Sequence, residues 1–107
     1  MPANHVVIAQ RRVLEENPWL AAELFKLFSE SKHAAYERTN FTHPAYLYFD
    51  GHNRQTQAAL FGDDPFPYGV SKNRPMLEML FGNSHAEGLT RKLATIEEVF
   101  DRSLLDT

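Results

Sequence analysis

Three residues near the middle of the chain have side chains suited to holding a small anion. Tyr68 offers a hydroxyl, Asn73 an amide, and Arg74 a planar fork that matches a carboxylate. If a helix starts there, its unpaired backbone N–H groups add to anion affinity. A plainer reading also stands: Asn73 caps a helix, Arg74 is solvated and Tyr68 fills the core. All three lie in the stretch Gly62-Asp63-Asp64-Pro65-Phe66-Pro67-Tyr68-Gly69-Val70-Ser71-Lys72-Asn73-Arg74. Pro65 and Pro67 push the residues before them out of the helical region, and Gly62 and Gly69 permit positive φ. The stretch reads as a shaped loop over 62–73 between helical flanks, and loops carried by helices often hold function.

Other candidates are more isolated. His5 opens the run His5-Val6-Val7-Ile8-Ala9 and is read either as a catalytic group or as a packed histidine at a strand edge. His85 is set beside Asn73 and Arg74 as a ligand-binding candidate. The His85-Ala86-Glu87 triplet has the His-x-Glu pattern of zinc deaminases, but those need nearby cysteines and this chain has none. His33, His43 and His52 form no pair four residues apart. Asp63-Asp64 with Asp50 lack the spacing of a calcium loop and read better as a charged turn. The expectation is therefore no metal and no cofactor. No nucleotide-binding loop or serine nucleophile elbow is present.

The bulk composition narrows the class. The chain has 107 residues, 43% hydrophobic and 23% charged, which suits one small folded domain. A formal net charge of -3 argues against nucleic acid as a partner. Without cysteine there is no disulfide, thiolate nucleophile or cysteine zinc site. No run approaches a membrane span. Met1-Pro2-Ala3-Asn4 lacks the basic start and hydrophobic middle of a secretory leader, so a cytoplasmic location is expected.

These candidates need elements to position them. Residues 5–10 read as a strand buried on both faces, because the β-branched apolar residues are consecutive and do not alternate with polar ones. It is the only convincing strand, and a lone strand needs neighbours on either side. Those must come from other chain or from another subunit. Asn17-Pro18 marks the start of a helix over 18–38, striped by Trp19, Leu20, Leu24, Leu27 and Phe28. A second helix is expected over 44–61, weakened at Asp50-Gly51 and ended by Gly62. A third spans 74–87, with Asn73 as cap, Pro75 in its first turn and Gly88 at its end. A fourth covers 95–104, opened by a Thr95-Ile96-Glu97-Glu98 capping box. Within these residues the class is mostly α, with one N-terminal β-strand.

One resemblance draws the motifs together. His5-Val6-Val7-Ile8, Glu16-Asn17-Pro18-Trp19-Leu20, Gly62-Asp63-Asp64, Pro67-Tyr68-Gly69-Val70 with Asn73-Arg74, Gly88-Leu89-Thr90 and Glu97-Glu98-Val99-Phe100 occur in that order. The chain resembles the C-terminal part of 4,5-dihydroxyphthalate decarboxylase-like proteins, which are similar to type II periplasmic solute-binding proteins. The resemblance implies an α/β fold of two lobes around a cleft, with residues 5–10 returning to the first lobe. It implies a carbon–carbon lyase that releases carbon dioxide from an aromatic dicarboxylate to give protocatechuate. In that setting Arg74 and Asn73 would orient a carboxylate, and Tyr68 or His5 would lie near the ring. Two other readings stay open. One is a solute-binding protein presenting a small anion to a transporter. The other is a free-standing helical domain whose strand pairs in a homo-oligomer. This chain alone is not expected to be active.

Overall fold

The computed structural model describes residues 5–38 and 54–107. The described residues form α1 (Arg11–Glu16), α2 (Leu20–Arg38), α3 (Arg54–Phe61), α4 (Val70–Ala86), α5 (Ile96–Val99) and a closing 3-10 turn (Arg102–Leu104). The part of the expected second helix before residue 54, with its weak point at Asp50-Gly51, lies outside the described residues, as do His43 and His52.

Among the described residues there is no strand, which corrects the expected strand over 5–10. Residues 5–10 run without regular structure into Gln10, whose backbone is extended at φ -66° and ψ 131°. Strand geometry becomes a strand only when a neighbour takes its N–H and C=O groups. The described helices use those groups internally and offer no ladder. Val6 and Val7 are exposed, and Ile8 is 89% exposed.

Asn17 sits at the joint between α1 and α2. Its backbone N–H donates to Val13 O at 3.0 Å, and its side-chain Nδ2 donates to the same oxygen at 3.1 Å. The side chain thus closes α1 and does not cap α2, which starts at Leu20 after a turn through Pro18 and Trp19. Asn17 O accepts the Leu20 N–H at 3.0 Å, and the chain turns there. The inward face of α2 carries buried Ala21 and half-buried Leu24, Phe25, Ser29, Lys32 and Tyr36. Trp19, Leu27 and Phe28, expected in the buried stripe, face outward instead. The apolar stripe was too broad to specify which of its flanks would be covered.

The core lies between α4 and α5. Val70, Leu77 and Ile96 are buried, with Met76, Phe81, Phe100, Leu104 and Leu105 packed against them. Residues 70, 77 and 81 recur at helical spacing on one face of α4. α2 packs against the 3-10 turn and α4 against α5. The end of α4 follows a known capping geometry. Gly88 adopts φ +76°, its N–H donates to His85 O at 3.0 Å, and the Leu89 N–H donates to Ser84 O at 2.9 Å. The start of α5 holds the expected capping box between Thr95 and Glu98, the Thr95 N–H donating to Glu98 Oε2 at 3.2 Å.

α4 begins at Val70, a turn earlier than residue 74. The free N–H groups of its first turn are satisfied by distant chain: Val70 N–H donates to Thr107 Oγ1 at 3.1 Å and Ser71 N–H to Thr107 O at 2.7 Å. This moves Pro75 from the first turn to the helix interior. Sequence spacing could not reveal a cap 37 residues away.

Candidate functional site

The 62–69 loop is held on α2 by one group of polar side chains. Lys32 and Tyr36 are one turn apart on α2 and project from the same face. Gly62, at φ +74°, ends α3 and turns the chain toward that face. Lys32 Nζ donates to Asp64 Oδ2 at 2.7 Å and to Phe66 O at 2.8 Å. It also lies 4.1 Å from the centre of the Tyr68 ring, a cation–π contact. Asp64 Oδ1 accepts from the Tyr36 hydroxyl at 3.1 Å and from the Phe66 N–H at 3.3 Å. The ammonium and the carboxylate therefore each meet several partners.

The electrostatics follow from this arrangement. Partial burial of Asp64 opposes its charge, but the Lys32 bond and charge, then the Tyr36 hydroxyl and the Phe66 N–H, outweigh it. The carboxyl titrates below its usual range. Burial, followed by the hydrogen bond to Asp64 and the charge of that group, pushes the Tyr36 phenol well above its ordinary value. An open groove of about 550 Å³ runs beside the group, lined by Phe25, Lys32, Tyr36, Asp64, Tyr68 and Lys72. Lys72 makes no ion pair with another described residue. The groove thus offers aromatic surface and the Lys72 cation, with the carboxylates of Glu37 and Asp63 also on its wall.

Two expected outcomes test the group. Lys32→Met leaves Asp64 without its cation. Asp64 is 38% exposed, so water screens the loss; the expected cost is about 1–2 kcal/mol, read from urea unfolding at pH 7. Because the folded pKa of Asp64 is depressed, its contribution is present above the unfolded value near 4 and is lost as pH falls through the folded one. Lys32→Met should therefore flatten the acid limb of the stability profile. Tyr36 has the opposite sign. Its folded pKa is raised, so its contribution is present below pH 10 and lost as pH rises beyond it. Absorbance titration at 295 nm should show one late-ionising phenol, and Tyr36→Phe should remove it.

The five residues singled out from sequence lie in different places. Tyr68 lines the groove. Asn73 Nδ2 donates to Pro67 O at 2.9 Å and Gly69 O at 2.8 Å, so its amide holds the loop to α4. Arg74 bridges Glu78 Oε1 at 3.3 Å and Glu97 Oε1 at 3.1 Å, joining α4 to α5. His85 is near the other end of α4, fifteen residues from Val70 or about 22 Å along the axis, with Nδ1 3.3 Å from Thr90 O. His5 is exposed in the N-terminal segment. Lys32, Tyr36 and Asp64 were not singled out. The i, i+4 placement of Lys32 and Tyr36 was the available signal, but nothing in the spacing ties them to an acid 28 or 32 residues later. Among the described residues no three His, Asp or Glu side chains gather as a metal site. No helix among them is long and apolar enough to cross a membrane.

Comparison with known proteins adds one relationship. No family model matches the chain, and no solved structure matches it. A curated 4,5-dihydroxyphthalate decarboxylase of Comamonas testosteroni is 28% identical over 109 aligned residues, covering 99% of this chain and 33% of that protein. The chain spans about a third of the length of the curated relative it matches. The relationship is distant and decarboxylase-like. It extends along nearly the whole chain, so it is not confined to the Pro67-Tyr68-Gly69-Val70 motif. The described residues are helical and display no second lobe.

Proposed function

We propose that this chain is one segment of a decarboxylase-like protein acting on an aromatic dicarboxylate, with the α2–loop groove as its ligand-facing surface. The observation that carries the proposal is the distant similarity, along nearly the whole of this chain, to a third of a 4,5-dihydroxyphthalate decarboxylase. The chemistry of the groove supports it. The Tyr68 ring provides an aromatic surface for the substrate ring, and Lys72 a cation for a carboxylate. Lys32 is committed to Asp64 and positions Tyr68. In the reaction the bond from the ring carbon to the carboxylate carbon breaks. Its electron pair stays on the ring, carbon dioxide leaves, and the ring carbon takes a proton. Tyr68 is proposed as the proton donor on this segment, with His5 as the second candidate.

Arg74 and Asn73 remain candidates for holding a carboxylate only if the ligand displaces their present partners. His85, about 22 Å along α4 from Val70, is out of reach of a small diacid in the groove and is not assigned to it. The test is carbon dioxide release from 4,5-dihydroxyphthalate by the protein in its native assembly. Tyr68→Phe should lower kcat about 100-fold and leave KM near its original value, as expected for loss of a proton donor. Arg74→Ala with unchanged turnover would remove Arg74 from the site. Tight binding of the diacid without carbon dioxide release would overturn the reaction and favour a solute-binding role.

A further inference from the structure

We infer that Asp63 reads ring hydroxyls on the ligand, so that the groove selects an aromatic ring with carboxylates at one end and vicinal hydroxyls at the other. The inference rests on the aromatic-diacid reading of the groove and adds how that site chooses among such diacids. Asp63 and Asp64 are adjacent in the loop but meet different surroundings. Asp64 is taken up by Lys32, Tyr36 and the Phe66 N–H. Asp63 is exposed on the groove wall. Among the described residues its carboxylate forms no ion pair and no hydrogen bond. The other acid on the wall, Glu37, lies 3.3 Å from His33 Nε2. Of the three groove acids, Asp63 is therefore the one whose oxygens no described residue engages.

Lys72 is the matching cation. It lines the same groove and pairs with no acid among the described residues, Asp63 included. Tyr68 lies between the two in sequence, and its ring is 39% exposed. Opposite charges on one groove orient a ligand whose two ends differ. A carboxylate beside Asp63 is repelled, which turns the carboxylates of a diacid toward Lys72. The far edge of the ring then faces Asp63. An ionised carboxylate only accepts hydrogen bonds, so that edge must carry donors. Two vicinal hydroxyls present two O–H groups to its two oxygens, and bonds to an ionised acceptor are the strong ones. The diacid proposed above, 4,5-dihydroxyphthalate, has this layout, with its hydroxyls across the ring from its carboxylates. Phthalate itself has no donor to offer Asp63.

The test is the affinity of the protein in its native assembly for 4,5-dihydroxyphthalate and for phthalate, read by stopped-flow fluorescence before turnover. The dihydroxy compound should bind about 10–100-fold more tightly. A third probe, 4,5-dimethoxyphthalate, keeps the oxygens without the donors and should bind no more tightly than phthalate. Asp63→Asn should weaken the dihydroxy compound about 10-fold or more, while phthalate binds as well or better because a like charge is gone. Lys72→Met should weaken both diacids alike. Asp63 is exposed and holds no described partner, so Asp63→Asn should keep the wild-type urea midpoint, which separates lost recognition from lost folding. Equal affinity for the two diacids overturns the inference. So does a preference that survives Asp63→Asn, or dimethoxyphthalate binding as tightly as the dihydroxy compound. Carbon dioxide release is read separately. An Asp63-dependent preference without release upholds the inference and overturns the reaction; release with a preference indifferent to Asp63→Asn does the reverse.

Discussion

Gly69→Ala is expected to destabilise the fold by about 2–4 kcal/mol, combining backbone strain with the loss of a helix cap. Gly69 adopts φ +111°, a conformation that residues with a Cβ rarely take. The site is also full. A Cβ there would lie 2.7 Å from both the backbone carbon and the backbone oxygen of Thr107. Neither is the end of a flexible side chain, so the methyl must push Thr107 off the start of α4. That removes the acceptors of the Val70 and Ser71 N–H groups together. The measurement is the shift of the urea midpoint at constant m. Thr107→Ala, which removes only the hydroxyl acceptor, should cost about 1 kcal/mol. Equal losses in the two variants would show that the clash at Gly69 is relieved elsewhere. Tyr68 precedes Gly69, so the substitution should also disturb the cation–π contact with Lys32.

Ile96→Ala is the second large effect. Ile96 is 2% exposed and joins α5 to Val70 and Leu77 of α4. Truncating a buried isoleucine to alanine costs about 2–5 kcal/mol, the cost rising with the cavity that remains. A small core has few neighbours able to close in, so a loss of about 3 kcal/mol or more is expected, against a total of roughly 5–16 kcal/mol for a chain of this length. α5 also carries Glu97, which holds Arg74. Loosening α5 should therefore free the Arg74 guanidinium from one of its two carboxylates. Thermal unfolding measures the first consequence. For the second, Glu97→Gln should reproduce the release of Arg74 with little destabilisation, because the pair is exposed. A loss below about 1 kcal/mol in Ile96→Ala would mean that the core is not centred on Ile96.

Much of the helical framework is readable from sequence, because its signals are local. The periodic apolar residues of 20–38 and 70–86 and the glycines at 62 and 88 each act within a turn or two of chain. The same holds for Thr95 and Glu98 at the start of α5. Tyr68 is legible too, since two prolines and two glycines mark its loop as shaped. What could not be read depended on partners far along the chain. The group Lys32, Tyr36 and Asp64 forms only when the loop folds back on α2. Asn73 and Arg74 have the right atoms for an anion, yet protein carbonyls and carboxylates occupy them.

By itself, the sequence determined a mostly helical chain without disulfides, a shaped loop beginning at Gly62, and an apolar β-branched segment at its start. These follow from backbone sterics, side-chain periodicity and composition, which need no distant contact. Tertiary structure alone decided that α4 starts at Val70 and that α2 turns its Lys32 and Tyr36 face inward. It alone decided that residues 5–9 stay outside any sheet among the described residues. Each of those outcomes is a choice between nearly equal local options. A hydrogen-bond acceptor or a covering surface from remote chain, present or absent, tips the balance.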